Sequence, residues 1–518
     1  MSERFEQLKI SLGGSLEEKL RLLSPSFHSY RLLKKSIDAR GKQPHWVYSV
    51  EVFGETETPP DGHVVIKPYR APSSYSPPII VGSGPAGLFA ALRLVERGIR
   101  CRLFEQGSMA QQRMRAIAKY WRYGTLDPVD NVCFGEGGAG LYSDGKLITR
   151  IKSPHIPYVL SRLVKFGAPE EILYLSNPHV GSDRIRKVIP IIREFLLENG
   201  CELHFNAKVK SLIYGSGRVS GIQLESGETF SSDQVILATG HSATDMLLDL
   251  HRNGVHVEGK SFAVGLRIEH PQADINTMQF GRFANHAEIG PATYRLADHD
   301  KKTGVGVYTF CMCPGGYVIS SGTETTGIVS NGMSNYARNS PFANAAVVVS
   351  IDYEKQFGKD VLAGLAFRSA LEEGALAQVP AAGGTHHLLP KNFRIFWKEK
   401  QERPFPAPVR PKSYRAAWTP YFLSGFTSAS KAACTVLITA CPGLCLLKPN
   451  FMEWSHARLV PFGSFETKSP RICEPLRPLP DWRRGRLCRW ITSAAVDGVR
   501  VAEAVAARLC DEALVSVT

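Results

Sequence analysis

Six residues, Gly82-Ser83-Gly84-Pro85-Ala86-Gly87, narrow the folds open to this chain more than any other feature. A short apolar run, Pro78-Ile79-Ile80-Val81, leads into them, and Leu88–Arg97 continues with helical spacing until Gly98. Arg100–Phe104 predicts a second strand, closed by the acid Glu105. Strand, Gly-x-Gly-x-x-Gly turn and helix together form the phosphate-binding unit of a parallel α/β sheet. In that unit Gly82 permits the tight turn, Gly84 lets a pyrophosphate approach the backbone, and Gly87 lets helix and strand pack closely. The diphosphate sits on the helix N-terminus, where unpaired N–H groups and the dipole favour an anion. Glu105 is expected to accept hydrogen bonds from both ribose hydroxyls, which selects an unphosphorylated ribose. The turn therefore predicts dinucleotide binding, and Pro85, Ala86 and Gln106 join these glycines and Glu105 as candidate cofactor residues.

The flanking pattern builds a sheet around this unit. Helical segments are expected at Ser15–Leu23 and Ser29–Ala39 and an alternating strand at Trp46–Phe53, giving a small α+β domain over residues 1–76. Ala71–Pro78 reads as a Pro/Ser linker. Beyond the turn, a helix over Arg184–Asn199 with a kink at Pro190 leads to a strand at Glu202–Phe205. A hairpin around Gly215–Gly217 follows, then a buried strand, Val235–Ala238, ending in Thr239-Gly240. Strands and helices in alternation mean a doubly wound parallel sheet. From about Lys260 to Asp352 short strands with Gly/Pro turns predict an inserted antiparallel domain. The expected fold is thus α/β. A doubly wound parallel-sheet domain (77–259) is completed by 491–518, where Ser493–Ala507 has helical spacing. A mixed antiparallel domain is inserted at 260–384, and the small α+β domain precedes both.

The choice of dinucleotide rests on resemblance. Thr229, followed by Val235-Ile236-Leu237-Ala238-Thr239-Gly240, is similar to the second signature of FAD proteins of the glutathione-reductase structural type. Pro85-Ala86-Gly87 also resembles that class. The likeness implies that Thr239 and Gly240 end a strand beside FAD and that Val209 offers a backbone pair to adenine. FAD then outranks NAD as the tightly held cofactor. The strings FGEGGAGLYSDGKLITR (Phe134–Arg150), GHSATD (Gly240–Asp245), FAVGLRIEHPQ (Phe262–Gln272), CMCPGG (Cys311–Gly316), NGMS (Asn331–Ser334) and FANAA (Phe342–Ala346) occur in that order. With them the chain resembles the bacterial family of uncharacterised FAD-dependent dehydrogenases over about residues 1–375 and again at Ile491–Ala507. The resemblance implies a flavoprotein oxidoreductase with an extra N-terminal domain.

Phe134–Lys146 has a physical reading of its own. Gly135, Gly137, Gly138, Gly140 and Gly145 make a loop able to press its backbone against a planar ring, with Gly137 and Gly138 the expected ring contacts. Asp144 and Lys146 are placed to hydrogen-bond the flavin or an acidic substrate. Cys311 and Cys313 are read as structural thiols, because a CxC bridge closes a small strained ring and neither lies at an expected helix N-terminus. His241 is read as a loop histidine, and His270, His386 and His387 have no partner acids at metal spacing. No catalytic acid or base and no metal site is assigned. Hydride chemistry belongs to the cofactor and requires few side chains.

Composition sets the remaining bounds. With 518 residues, 43% hydrophobic and 21% charged, the chain is neither a disordered tail nor a disulfide scaffold. No apolar run approaches the roughly 18–20 residues of a membrane span, and MSERFEQLKI has no signal core, so the expected location is the cytoplasm. The eleven cysteines are then thiols. The net charge of +14 would ordinarily raise nucleic acid as a partner. Yet Lys391–Trp490 holds 18 Lys and Arg against 6 Asp and Glu, with five of the seven Trp and 12 of the 33 Pro, and has no periodicity. Arg477–Trp490, RPLPDWRRGRLCRW, occupies the place where the resembled family has a glycine-rich flavin turn. Written in permitted codons and read one base later, it becomes GLFPIGEGAGYAGG. Thr435–Leu444, read two bases later, gives a family-like string, and so does Phe393–Glu402 in the same way. Residues from about 385 to 490 are therefore expected to be largely frameshifted, by gene decay or by a sequencing error. Such a copy is expected to bind FAD weakly or not at all and to be prone to aggregation. The function expected is an FAD-dependent oxidoreductase acting on an unidentified small molecule, with no nucleic-acid or membrane partner. The rivals are an NAD(P)H-dependent flavin reductase, an RNA-associated flavoprotein and an inactive gene product.

Overall fold

The computed structural model describes residues 2–41, 43–59, 64–68, 75–149, 151–299, 305–377, 458–462 and 491–515. The first element group is an antiparallel sheet of β1 (Glu3–Ser11), β2 (Ser29–Asp38) and β3 (His45–Phe53) in the order β1-β3-β2, with helix α1 (Leu16–Leu23) against it. Ser15 caps that helix by accepting from the Glu18 backbone N–H. Leu20, Phe27, Val50 and Val52 form the small core.

Ser29–Ala39, expected as a helix, is instead strand β2. Its helix-forming residues Leu-Leu-Lys-Lys favour a helix by only a few tenths of a kcal/mol each. Pairing with β3 from Ser29 opposite Phe53 to Asp38 opposite His45 outweighs that preference. Lys35 also lies 4.4 Å above the Trp46 ring across the pair.

The central sheet is parallel. It contains β4 (Ile79–Val81), β5 (Cys101–Phe104), β6 (Cys201–His204) and β10 (Val235–Leu237) in the order β10-β4-β5-β6. Between its strands run α2 (Pro85–Glu96), α3 (Ala110–Tyr123), α4 (Ile156–Lys165), α5 (Ser182–Glu198) and the antiparallel β7 (Val209–Gly215), β8 (Arg218–Leu224) and β9 (Thr229–Ser231). Pro190 lies inside α5, which continues through it to Glu198.

Both sheet faces are buried, and successive residues divide between them as the period of two requires. Ile80, Leu103 and Ile236 face a layer that includes residues of α2 and α5. Ile79, Val81 and Phe104 face Leu212, Ile222 and Leu224 of the β7–β9 meander, together with Met246 and Leu250 of α6 (Thr244–Arg252). The second face of the doubly wound sheet is thus covered mainly by strands. The β7–β8 hairpin turns at Ser216 (φ 50°) and Gly217 (φ 75°), the left-handed pair that suits a two-residue hairpin loop.

The antiparallel part begins with β11 (Phe262–Pro271), α7 (Gln272–Phe280), β12 (Ala297–His299), β13 (Gly306–Cys313), β14 (Tyr317–Ser320), β15 (Ser330–Met333) and β16 (Phe342–Ile351). Helices α8 (Tyr353–Phe357) and α9 (Ala363–Ala377) follow. Its main sheet has the order β12-β13-β16-β11-β17, where β17 is Arg458–Phe462. Apart from those five residues, the stretch expected to be frameshifted is outside the described residues, as are His386 and His387. The last helix, α10 (Ile491–Val515), returns to the parallel sheet and packs on α2. Gly498 sits so close to the Ala86 carbonyl that any side chain there would strike it. Among the described residues no helix is long and apolar enough to cross a membrane, and no group of His, Cys, Asp or Glu side chains is arranged to hold a metal.

Candidate cofactor site

The three glycines of the first turn have three different local causes. Gly82 has φ 104°, and a Cβ there would lie 2.5 Å from the Ala238 carbonyl oxygen at the end of β10. A Cβ on Gly87 would collide with the Gly82 carbonyl. Gly84 has an ordinary φ of −69°, and a Cβ there would meet only the Gly138 Cα, 4.0 Å away. Folding thus demands glycine at 82 and 87, whereas the glycine at 84 keeps a strip of backbone bare. That is the cradle an extended diphosphate needs. Helix α2 has no side-chain cap and no acid in its first turn, so its N-terminus is left positive.

Glu105 is buried and holds the turn to the second glycine loop. Its Oε2 accepts from the Ser83 backbone N–H at 2.8 Å and from Ser83 Oγ at 2.7 Å; Oε1 accepts from the N–H groups of Gly107 and Gly135, both at 3.0 Å. A carboxylate offers about four acceptor positions, and all four are taken by protein donors. Both carboxylate oxygens are thus fixed in place between the two glycine loops. Gln106 follows, half-buried.

The loop itself is shaped by Arg113, which the sequence did not single out. This fully buried guanidinium donates to the carbonyls of Asn131, Val132 and Glu136 at 2.7–2.8 Å. A Cβ on Gly135 would lie 2.5 Å from its Cδ, so the positive φ of Gly135 (96°) serves this close approach. Gly137 donates its N–H to the Ser83 carbonyl at 2.9 Å, and Gly138 faces Gly84. A Cβ on Gly140 would touch Pro85 at 3.5 Å and Ile491 at 3.3 Å. Pro85 of α2 and Ile491 of α10 therefore meet beside one turn, and the α2 dipole favours an anion there. These features fit the diphosphate of FAD.

A charged corner lies at the other end of the loop. Asp144, 1% exposed, accepts from Ser334 Oγ and from Arg338 Nη2 at 2.6 Å, with Lys146 Nζ at 3.7 Å. Burial pushes its carboxyl up, but the charges of Lys146 and Arg338 and the Ser334 hydrogen bond outweigh it, and the net shift is downward. Asp144 is thus committed to protein partners from the antiparallel part. Close by, Arg267 on β11 donates to Asn344 Oδ1 at 2.6 Å and to the Cys311 carbonyl at 3.2 Å. Cys313 Sγ donates to that same carbonyl at 3.2 Å. The neighbouring Cys313, together with the charges of Lys146 and Arg267, holds Cys311 below the ordinary thiol range; Cys313 is pushed up.

Thr239 lies against the turn, its Cα 3.3 Å from where a Gly82 Cβ would stand. Gly240 follows in an exposed position with φ 76°. Val209 opens β7, with its side chain in the meander core. His270 hydrogen-bonds Tyr294, and burial lowers its pKa to about 4, which keeps it neutral. The structure therefore brings together Gly82, Gly84, Gly87, Ser83, Glu105, Gly137, Gly138 and Thr239, while Val209 and Gly240 stand at the edge of that group.

Comparison with known proteins agrees with this geometry. A family model for an FAD binding domain matches residues 76–133, and one for a "FAD-dependent protein, C-terminal domain-like" matches residues 261–431, continuing past residue 385. A domain of unknown function matches residues 12–53. An uncharacterized protein of Clostridium beijerinckii is 38% identical over 393 residues, 72% of this chain and 74% of the relative. Among solved structures, glycerol-3-phosphate dehydrogenase of Bacillus halodurans complexed with FAD is 15% identical, with 57% of this chain and 53% of that one covered and a TM-score of 0.27. The GidA-related protein of Thermus thermophilus is 17% identical, with 37% and 74% covered and a TM-score of 0.24. Overlaps of this size carry no weight on activity.

Fold, cradle and family models together define an FAD-binding protein. More narrowly, the chain belongs to the bacterial family of FAD-dependent proteins that includes the Clostridium beijerinckii relative.

Proposed function

We propose that this chain is a dehydrogenase-type oxidoreductase that passes a hydride between a small organic substrate and FAD. The bound flavin supplies the hydride chemistry. The protein's part is to hold the diphosphate on the N-terminus of α2, to seat the ring against Gly137 and Gly138, and to orient the substrate. The carrying observation is Gly84, the one glycine of the turn whose bare backbone the protein's own packing does not require. Lys146, at the end of the same loop and mostly buried, is the cation nearest to serve an acidic substrate. No residue is assigned as catalytic acid or base.

The test is the visible spectrum of the purified chain, beside a version whose residues 477–490 are replaced by GLFPIGEGAGYAGG. Bands at about 370 and 450 nm in both would support FAD binding by the described segments alone. Bands only in the replaced version would support the frameshift reading, and bands in neither would sink the cofactor assignment. Anaerobic bleaching at 450 nm by organic acids, rather than by NADH or NADPH, is the expected outcome. The reverse would make the protein a pyridine-nucleotide-dependent flavin reductase.

A further inference from the structure

Helix α3 turns one face to the glycine loop and the other to solvent. On the inner side Arg113 donates to the Asn131 and Glu136 carbonyls, and the Ala110 backbone N–H donates to Glu136 Oε2 at 2.7 Å. Arg193 of α5 reaches the same carboxylate oxygen at 2.9 Å. The guanidinium groups of Arg113 and Arg186 lie 5.0 and 5.3 Å from the ring centre of Tyr142, in the same loop. Helices α3 and α5 are therefore the outer wall of the loop that carries Gly137 and Gly138. Arg186 of α5 also donates to Met114 Sδ of α3 at 3.7 Å, which ties the two helices together on their exposed side.

The solvent face of this wall is strongly basic. The fourteen residues of α3 hold four cations and no acid. Arg115, Lys119 and Arg122 fall at i, i+4 and i+7, so they line one stripe, and all three are exposed. Beyond the Arg186–Met114 contact, Arg184 and Lys187 in the first turns of α5 are exposed as well. Asp183, the one acid in those turns, is engaged by the Tyr336 backbone N–H at 2.6 Å. The charge is local. Of the 62 Lys and Arg and 48 Asp and Glu in the chain, Lys391–Trp490 holds 18 and 6, which leaves 44 against 42 elsewhere.

Two further features bear on what this face fits. Met114 is 46% and Tyr123 66% exposed, and Arg, Met and Tyr are the side chains enriched where proteins meet. Farther along α5 the sign reverses, because Glu194 and Glu198 are exposed on the stripe that Lys187 begins. A long polyanion following the wall would meet those acids, whereas a globular partner with a bounded acidic patch would not.

We propose that the outer face of α3, with the first turns of α5, docks a small acidic electron-carrier protein. The carrier's redox role rests on the oxidoreductase function proposed above; its acidity rests on this face alone. Each docked carrier accepts one electron. Two carriers thus take up the pair released when one substrate loses two hydrogens, and two protons pass to solvent. A carrier seated on α3 stands one helix diameter, about 10–12 Å, from the glycine loop.

The test measures binding of the full chain to an immobilised [2Fe–2S] ferredoxin of net negative charge. Binding is expected in the micromolar range at about 20 mM salt and at least tenfold weaker at about 300 mM, because salt screens exposed charges. Arg115→Glu, Lys119→Glu and Arg122→Glu combined should weaken it at least tenfold, with thermal midpoint and circular dichroism unchanged. Arg4→Glu with Lys9→Glu, exposed on β1, should change it less than twofold. No binding at low salt, equal binding by the triple variant, or tighter binding of polyuridine RNA under the same conditions would each overturn the proposal. Flavin absorbance is read on the same samples. Docking by a chain without flavin would support the surface and count against the cofactor assignment, whereas flavin without docking would sink the surface alone.

Discussion

The two ends of the Phe134–Lys146 loop achieve order by opposite means. At the Gly84 end the site is made by leaving side chains out: three glycines, backbone N–H groups and one carboxylate that ties Ser83 to Gly135. At the Lys146 end it is made by crowding side chains in, where Asp144, Lys146, Arg267, Arg338 and two thiols share little space. The first end holds its charges, Glu105 and Arg113, in hydrogen bonds to the backbone and suits a fixed ligand shape. The second is full of titratable groups, so pH bears on it more.

The most severe way to probe this contrast is within the glycine turn. Gly87→Val should abolish folding and flavin binding together, because the new side chain has no room. Gly84→Val should leave the thermal midpoint of the apoprotein within a few degrees while flavin content falls at least a hundredfold. Thermal melts and absorbance at 450 nm separate the two. A Gly84→Val chain that unfolds would show that the bare backbone serves packing and not a ligand.

At the charged end, Arg338→Met removes the closest cation from a carboxylate that stays buried. The expected cost is roughly 3 kcal/mol, read from urea unfolding at pH 7. Because the Asp144 carboxyl titrates below its ordinary value in the fold, its stabilising contribution is present above the unfolded value of about 3.9 and is lost as pH falls through the folded one. The difference between native and Arg338→Met chains should therefore shrink below about pH 4. A difference that is constant with pH would assign the loss to packing.

How much of this was legible follows the same division. The turn and its strands could be read because Gly82, Gly84, Gly87 and Glu105 fall within 24 residues and each obeys a local backbone rule. The cover of the second sheet face by β7–β9 was legible as a hairpin but not as a layer, since pairing partners say nothing of which face they cover. Strand β2 was misread because local propensity was weaker than the long edge of β3. The charged corner was out of reach: Asp144 and Arg338 are separated by 194 positions, and no periodicity links them. Arg113 was missed for a related reason, since an arginine serving backbone carbonyls leaves no acid to betray it. The glycine at 135, which admits its side chain, was the available sign.

A smaller effect would sharpen the comparison from outside the loop. Asp497 on α10 is mostly buried, and desolvation raises its pKa to about 6. A raised carboxyl stabilises the fold below its unfolded value of about 3.9, and that contribution is lost as pH rises through about 6. Asp497→Asn should therefore add roughly 1 kcal/mol at pH 8 and nothing at pH 4. Equal melting points of the two chains at pH 8 would place that carboxylate in solvent.

The crossing of α2 and α10, where Gly498 meets the Ala86 carbonyl, also bears on how the protein is made. Roughly 400 residues separate those helices, so at about 5–20 residues per second a ribosome takes roughly 20–80 s between them. Throughout that interval the nascent sheet presents the flank of α2 that carries Ala86 and Arg93 without its final cover. Synthesis thus passes through a long stage in which the nucleotide turn exists but its layer is open.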